Sequence, residues 1–152
     1  MIEFANDNKI DLRFIELMPM NVAKNFKAVK EDDLKAIISK KYGALKQIDV
    51  FEGPAHYYQV ENLSIKIGFI SALSHKFCAN CNRLRLTSTG MLKPCLHYNS
   101  GVNLNDLLKK NVTDEEILAI IKDTIYHKPK NHHLENEAFS QKEDKSMSLI
   151  GG

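Results

Sequence analysis

The sequence predicts an α+β fold, in which the last elements of a repeating β/α architecture are followed by a small antiparallel sheet with helices. Residues 1–8 have the apolar spacing of a helix end and residues 11–17 that of a strand, an order typical of β/α repeats. Residues 57–60 and 64–70 alternate as the two arms of a hairpin, and helical patterns follow later. The abrupt helical opening leads us to expect a fragment, or one half of a split protein.

Turn and stop residues delimit the elements of the first half of the chain. Pro19 ends the first strand, because its nitrogen cannot donate to a sheet ladder. Residues 30–42 place apolar side chains on one helical face, and Gly43 is a typical helix stop. Residues 44–50 alternate as a strand, after which Gly53 and its neighbours turn the chain.

A second hairpin is predicted where the cysteines lie. Residues 83–88 alternate Arg and Thr with Leu and Ser, which is the period of a strand. The turn at Gly90 brings residues 91–96 back as another strand. We therefore expect Cys95 on this return strand and close to the cysteines that precede the hairpin.

Two helices are predicted after this hairpin. The first covers residues 104–110, with Asn103 as its cap. The second covers residues 114–127 and begins at Thr113, where Glu116 completes a capping box.

We expect three parts along the chain. Residues 1–22 would end a β/α barrel, residues 23–127 would form a domain around the cysteines, and residues 128–152 would form a flexible tail. The tail ends in Gly151-Gly152, which is either plain disorder or a thin probe that enters a narrow cleft, since glycine has no side chain to clash.

Composition narrows the class of protein. The chain has 152 residues, 43% of them hydrophobic and 26% charged, as in a soluble globular domain with one core. A formal net charge of +2 is too small to indicate nucleic acid or membrane surfaces as partners. We see no secretory signal and no apolar run of about 20 residues. An odd number of cysteines, 3, favours metal binding in a reducing cytoplasm over disulfides.

The cysteines themselves are the most specific feature of the sequence. Cys78 and Cys81 are separated by two residues, and Cys95 follows after thirteen more. The short gap lets two thiolates reach one centre from a tight turn, and the hairpin supplies the third. A four-iron cluster normally takes four cysteines, so three leave one iron open to a ligand. We predict a [4Fe–4S] cluster that binds a substrate.

A structural zinc site is the alternative. His75 precedes Cys78 by three residues and His97 follows Cys95 by two, and either could complete a Cys₃His set. His127, His132 and His133 could also bind metal, but we expect them to be solvated residues of the tail.

Two arginines follow the cysteine pair directly. Arg83 and Arg85 lie two positions apart on a predicted strand, which would place them on one face. The planar guanidinium suits phosphate, because it donates paired hydrogen bonds. Taken alone, such a pattern is more often a solvated strand face. Beside three cysteines it indicates binding of an anionic ligand.

The first strand carries further candidates. Arg13 and Glu16 fall on opposite sides of it, and each could be an exposed strand charge. If the strand belongs to a barrel, residues near its carboxyl end would face the ligand. Met18 lies at that end, where packing in the core is the simpler expectation.

These motifs together resemble those of a known family. Residues 77–87 read FCANCNRLRLT and residues 90–96 read GMLKPCL, which closely resembles the carboxyl-terminal cluster region of GTP 3′,8-cyclase. That family is the radical S-adenosylmethionine lyase of molybdenum cofactor biosynthesis. Residues 13–19 resemble its last barrel strand, and residues 53–58 and the Gly-Gly terminus match as well.

The resemblance implies roles for individual residues. Cys78, Cys81 and Cys95 would hold a [4Fe–4S] cluster whose free iron meets the guanine of GTP. The resemblance also implies a GTP-binding set that consists of Arg83, Leu84, Arg85 and Arg13. Met18 would touch S-adenosylmethionine. Gly151 and Gly152 would reach the active site.

The implied reaction starts at a second [4Fe–4S] cluster, which cleaves S-adenosylmethionine to a 5′-deoxyadenosyl radical. The radical takes the ribose 3′ hydrogen of GTP, and the ribose carbon then attacks guanine C8. The cluster motif for this step, Cys-x₃-Cys-x₂-Cys, is absent, and no cysteine precedes Cys78. We therefore expect this chain alone to be inactive and to need a missing amino-terminal half or a separate polypeptide. The sequence does not fix whether it forms a homodimer.

Overall fold

The computed structural model of the protein describes residues 1–50, 52–133, 143, 145 and 147–150, apart from the side chains at 21, 147 and 148. The chain divides into two compact units. The first comprises Met1–Met18 and Asn25–Phe77, and the second comprises Pro19–Lys24 and the described residues from Cys78 onward. Each unit has its own sheet, four-stranded in the first and three-stranded in the second.

The first unit combines two helices with a mixed sheet. Strand β1 is parallel to β4, whereas β4 with β3 and β3 with β2 are antiparallel, and the order across the sheet is β1-β4-β3-β2. The predicted hairpin of β3 and β4 is confirmed. The elements are α1 (Ile2–Asp7), β1 (Leu12–Ile15), α2 (Glu31–Tyr42), β2 (Leu45–Ile48), β3 (His56–Val60) and β4 (Lys66–Ile70).

The bounds of α2 follow from its end residues. Its first turn is acidic, which suits the positive end of the helix dipole, and its last turn carries Lys40 and Lys41. The helix ends as predicted at Gly43, whose φ of 90° lies in the left-handed region that favours glycine. A Cβ there would also lie 2.9 Å from the Cβ of Glu61.

The core of the first unit lies between the sheet and its helices. Phe69 stacks on Phe14 with ring centroids 5.8 Å apart and meets Tyr58 edge-on at 5.6 Å. The core is aliphatic apart from such rings, as the absence of Trp leads one to expect. Its buried members are Ala5, Ile38, Val60, Leu63, Ile65, Ile67 and Phe69.

The second unit is built on a small antiparallel sheet in the order β5-β6-β7. Both predicted caps are confirmed: the Asn103 side chain accepts from the Asn105 N–H, and Thr113 with Glu116 forms a complete capping box. The elements are β5 (Arg85–Leu86), β6 (Met91–Lys93), β7 (Val102–Asn103), α3 (Leu104–Lys109), α4 (Asp114–Tyr126) and α5 (Met147–Ile150).

Two details of the predicted second hairpin are wrong. Strand β5 is only Arg85–Leu86, so Arg83 precedes it and the two arginines do not share a strand face. The backbone at Cys78–Asn80 forms a 3₁₀ turn, and residues 81–84 connect this turn to the strand without regular structure. Cys95 lies two residues past the end of β6, because Pro94 has no N–H to extend the ladder.

The α+β class is confirmed by the two sheets and their helices. The incomplete barrel and the three-part division at residues 22 and 127 stay predictions. In the part of the chain that the structure describes, no helix has the length and apolar character needed to cross a membrane.

Candidate functional site

The second unit brings the three predicted cysteine ligands together, and we call Cys78, Cys81 and Cys95 the cysteine site. Cys78 begins the 3₁₀ turn, and the Cys81 N–H donates to its carbonyl at 3.1 Å. Cys95 comes from the segment after β6. All three are free thiols and partly buried. They lie near enough for Cys78 and Cys81 to act electrostatically on Cys95.

The environment of Cys95 contains opposing effects. Burial raises the pKa of its thiol above the ordinary value, and the two neighbouring cysteines add to this rise. The His97 backbone N–H donates to the sulfur, and the Lys128 ammonium lies close by, both of which favour the thiolate. The net direction is upward, so the sulfur is sheltered from water yet has two groups that stabilise its negative form.

Lys128 is a site residue that sequence reasoning missed. Its Nζ lies 3.6 Å from the Cys81 sulfur and also donates to the Arg83 carbonyl. The residue follows α4, in a stretch without periodicity, and its partners lie 47 and 45 positions earlier in the chain. Nothing local in the sequence signals such a contact.

Tyr98 is a second residue that the sequence did not single out. It is buried, and its hydroxyl donates to the Asn131 carbonyl at 2.9 Å. Burial raises the pKa of this hydroxyl, and Cys95 and Cys78 contribute to the rise. The stretch from Lys128 to Asn131 therefore packs against both segments that carry the cysteines.

A histidine pair adjoins Cys95. Burial lowers the pKa of His97 to about 4, and the nearby His132, Arg85 and Lys93 add to the effect. Its Nδ1 is buried and has no hydrogen-bond partner in the described part of the chain. The His97 ring meets the His132 ring edge-on at 4.8 Å. His132 is only 3% exposed, so its predicted place in a solvated tail is wrong, whereas His127 and His133 are exposed as expected.

The arginine segment lies between the cysteines. Arg83 is exposed just before β5, and Arg85 is partly buried in β5 opposite Lys93. Leu84 between them is 36% exposed. Arg85 is near enough to His97 to contribute to its lowered pKa, which places the Arg85 cation in the surroundings of the cysteine site.

An ion pair anchors the chain beyond residue 133 to the same region. Lys93 and Glu143 form a salt bridge in which the side chains are 3% and 4% exposed. The Glu143 N–H also donates to the His97 carbonyl at 2.8 Å. This part of the predicted tail is therefore fastened on either side of Cys95. Gly151 and Gly152, predicted to reach the site, lie outside the described residues.

The first unit holds the remaining candidates. The Arg13 guanidinium is exposed and pairs with Glu52, and Met18 is partly buried. Glu16 is not an exposed strand charge but is 8% exposed, and its Oε2 accepts the Leu73 and Ser74 N–H groups at 2.7 and 2.9 Å.

The choice between an iron–sulfur cluster and a zinc ion at the cysteine site stays a prediction. Within the described residues, no three His, Cys, Asp or Glu side chains are grouped as ligands of a single metal ion. A zinc ion needs its sulfur ligands at about 2.3 Å from one centre, whereas an iron–sulfur cluster takes each thiolate on a separate iron. Within the described residues, Cys78 and Cys81 lie near enough to Cys95 to act on its charge, and the cluster that would join them stays a prediction.

Comparison with known proteins identifies consistent relatives. A family model described as Molybdenum Cofactor Synthesis C matches residues 10–134. A GTP 3′,8-cyclase of Clostridium perfringens (strain 13 / Type A) is 44% identical over 155 residues, covering 100% of this chain and 47% of the relative.

Relatives of lower sequence identity are named for the same reaction or for molybdenum cofactor biosynthesis. A GTP 3′,8-cyclase of Peptoclostridium acidaminophilum is 38% identical over 96% of this chain and 44% of its own length. Molybdenum cofactor biosynthesis protein 1 of Dictyostelium discoideum is 35% identical over 99% of this chain and 25% of its own length. The chain thus spans about half the length of the cyclases it matches, or less. The resemblance read from the cysteine and arginine motifs is confirmed.

Proposed function

This chain belongs to the Molybdenum Cofactor Synthesis C family, and on that premise we propose that it is the GTP-binding part of a GTP 3′,8-cyclase. The product would be (8S)-3′,8-cyclo-7,8-dihydroguanosine 5′-triphosphate, a molybdopterin precursor. The observation that carries the proposal is the shared environment of Cys78, Cys81 and Cys95, with Arg85 beside it. The relatives named for this reaction and for molybdenum cofactor biosynthesis support it.

The cysteine site fits an iron–sulfur cluster by the chemistry of its donors. Three partly buried thiols come from two segments, and a lysine ammonium lies against one of them. Such a cation offsets part of the negative charge that three thiolates and their cluster would carry. Cys78, Cys81 and Cys95 would hold a [4Fe–4S] cluster, which when bound supplies one iron free to accept an atom of the guanine base.

The arginine segment would position the other end of the substrate. Arg83 and Arg85 carry guanidinium groups that match phosphate oxygens in charge and geometry, and Leu84 adds a partly exposed apolar surface. Because Arg83 precedes the strand, its side chain is set by the loop after Cys81 and not by the sheet. Arg13 is proposed as a further phosphate contact in the first unit.

The radical-forming step is assigned to residues that this sequence does not contain. The motif Cys-x₃-Cys-x₂-Cys is absent, so S-adenosylmethionine cleavage needs a second cluster from elsewhere. Met18 would touch S-adenosylmethionine. This chain's own part in the reaction would be to bind GTP, orient its ribose and shield it from water.

The first unit would be the end of a radical S-adenosylmethionine barrel. β1 lies at the edge of its sheet and is parallel to β4, its one partner among the described strands. An unpaired strand edge is a ready site for further pairing, and parallel strands belong to layered β/α folds. The missing barrel strands would continue the sheet from this edge.

GTP binding to the reconstituted chain tests this proposal. We expect Arg83→Ala plus Arg85→Ala to weaken GTP binding at least tenfold and to leave the iron content unchanged. The matched control is Lys109→Ala plus Lys110→Ala, which removes two exposed cations of the same unit. If the arginine variant binds GTP as tightly as the original chain, the phosphate role is wrong.

One observation favours a second candidate, a zinc-stabilised Cys₃His module without catalysis. The buried His97 Nδ1 has no described partner, and its low pKa keeps the ring neutral, as a metal ligand must be. His97→Ala separates the candidates, since it would abolish zinc binding in a Cys₃His site. An iron–sulfur site held by the cysteines alone would keep its iron.

A further inference from the structure

We propose that Lys128 is a positioning residue of the cysteine site, where its ammonium holds the loop that joins Cys81 to Arg83. The inference rests on the proposed iron–sulfur site. It adds to that site a residue whose place in the chain gives no hint of such a role. Its basis is one side chain that contacts both a metal-binding residue and the backbone of the phosphate-binding segment.

The contacts of the ammonium define what it can do. Nζ lies 3.6 Å from the Cys81 sulfur and donates to the Arg83 carbonyl. An ammonium has three donors and no acceptor, so one group can bind both atoms at once. The bridge spans the short loop from Cys81 to Arg83 and fixes the sulfur relative to the carbonyl that precedes Leu84. Movement of either end would break one of the two contacts.

The backbone of Lys128 is itself held. Its N–H donates to the Ile125 carbonyl at 3.2 Å, and the preceding His127 N–H donates to Asp123 at 2.9 Å. Both bonds extend the end of α4, whose start is fixed by the capping box at Thr113. The backbone of Lys128 is therefore tied to the last turn of α4, two residues past the helix end at Tyr126. A side chain whose backbone is held in this way positions its partners more exactly than one on an unsupported loop.

The charge has a second consequence. The Lys128 ammonium lies 3.6 Å from the Cys81 sulfur, so its positive charge would act on a cluster that this thiolate holds. Hydrogen bonds to the sulfurs and net charge tune the reduction potential of an iron–sulfur cluster. Reduction adds one negative charge, which a nearby ammonium stabilises. Lys128 would therefore raise the midpoint potential of a bound cluster, in addition to holding the loop.

Three variants of the full chain test this assignment. Lys128→Met keeps most of the side-chain volume without the charge, Lys128→Arg keeps the charge, and Lys130→Met removes an exposed charge two residues away. After anaerobic reconstitution with iron and sulfide, we expect Lys128→Met to lose iron to a chelator severalfold faster. Its midpoint potential should also be more negative. Lys128→Arg should have a midpoint potential close to that of the original chain. Lys130→Met should match the original chain in both iron-loss rate and midpoint potential.

The outcomes separate the two proposals. A midpoint potential and an iron-loss rate that are equal in Lys128→Met and the original chain would overturn the role of Lys128. If the original chain takes up no iron, the proposed function fails instead. The positioning role of Lys128 is then tested by the binding of cobalt(II) to the cysteine site. In that case Lys128→Met should bind cobalt(II) more weakly and shift the sulfur-to-cobalt charge-transfer band. Unchanged affinity and an unchanged band would overturn the positioning role independently.

Discussion

The Arg13 Nη2 lies 3.1 Å from Glu52 Oε2, and this ion pair joins the first strand to the loop before β3. The same carboxylate oxygen accepts the hydroxyl of the buried Tyr57 at 3.1 Å. The Arg13 guanidinium also lies over the Tyr57 ring, 5.4 Å from its centroid. A candidate phosphate ligand is therefore oriented by a carboxylate and an aromatic ring, and the carboxylate competes for the charge that a phosphate would use.

The competition predicts opposite effects of two substitutions on GTP binding. Arg13→Ala should weaken binding, whereas Glu52→Gln should strengthen it severalfold, because the amide oxygen still accepts from Tyr57 but no longer neutralises the guanidinium. Both side chains of the pair are about half exposed. Glu52→Gln should therefore change the free energy of unfolding by less than about 1 kcal/mol.

Calorimetric titration with GTP measures both effects. The matched control is Glu3→Gln, which removes a carboxylate from another exposed ion pair of the first unit, that with Lys41. Weaker GTP binding by Glu52→Gln would contradict the idea that the carboxylate competes with phosphate.

A buried carboxylate should make the first unit sensitive to acid. Glu31 is 4% exposed. Burial alone would raise its pKa, but hydrogen bonds from Lys35 and Ser71 and the Lys35 charge outweigh burial, so the pKa lies below the ordinary 4.5. A lowered folded-state pKa contributes stability above the unfolded value and loses it as pH falls through the folded value.

Glu31→Gln tests this contribution. We expect the substitution to lower the free energy of unfolding at pH 7 by roughly 1.5–3 kcal/mol, the usual loss for hydrogen bonds to a charged group. The difference from the original chain should shrink as the pH falls below about 4.5. Urea unfolding at a series of pH values measures it, with the exposed Asp32→Asn from the same helical turn as control. A difference that stays constant down to the lowest pH would refute the assignment.

The Lys93–Glu143 pair should stabilise the segment that carries Cys95. Removing one partner leaves the other charge buried and unpaired, which costs about 3–5 kcal/mol. Glu143→Ala should therefore destabilise the second unit strongly and speed iron loss from the reconstituted site. The exposed Lys145→Ala, two residues further on, should do neither.

The double substitution Lys93→Met plus Glu143→Leu separates charge from packing. Apolar side chains avoid the desolvation penalty, so the double variant should recover most of the stability that Glu143→Ala loses. Chemical denaturation of the single and double variants measures this recovery. A double variant less stable than Glu143→Ala would show that the pair does more than satisfy two buried charges.

Local signals in the sequence predicted the local features of the fold. The capping box at Thr113, the stop at Gly43 and the hairpin of β3 and β4 depend on residues close together in the chain, and all three are confirmed. The cysteine spacing also indicated that Cys95 would return to Cys78 and Cys81, although it lies beyond the strand predicted to carry it.

Other features depend on contacts between distant residues, which alternation and spacing do not encode. The contacts of Lys128 and Glu143 with the cysteine segments join residues 47 and 50 positions apart in the chain. Glu16 looked like a strand charge, because its acceptors on the Leu73–Ser74 backbone are visible only in the fold. Arg83 looked like a strand residue because its alternation with Arg85 has the period of a strand, whereas the strand begins only at Arg85.

Iron and sulfide analysis of the anaerobically reconstituted chain tests the central claim most directly. We predict about four iron and four sulfide per chain, with loss of both in Cys78→Ser, Cys81→Ser and Cys95→Ser, and a change in the spectrum of the reduced cluster on addition of GTP. A colourless chain that holds one zinc, takes up no iron and is indifferent to GTP would contradict the account.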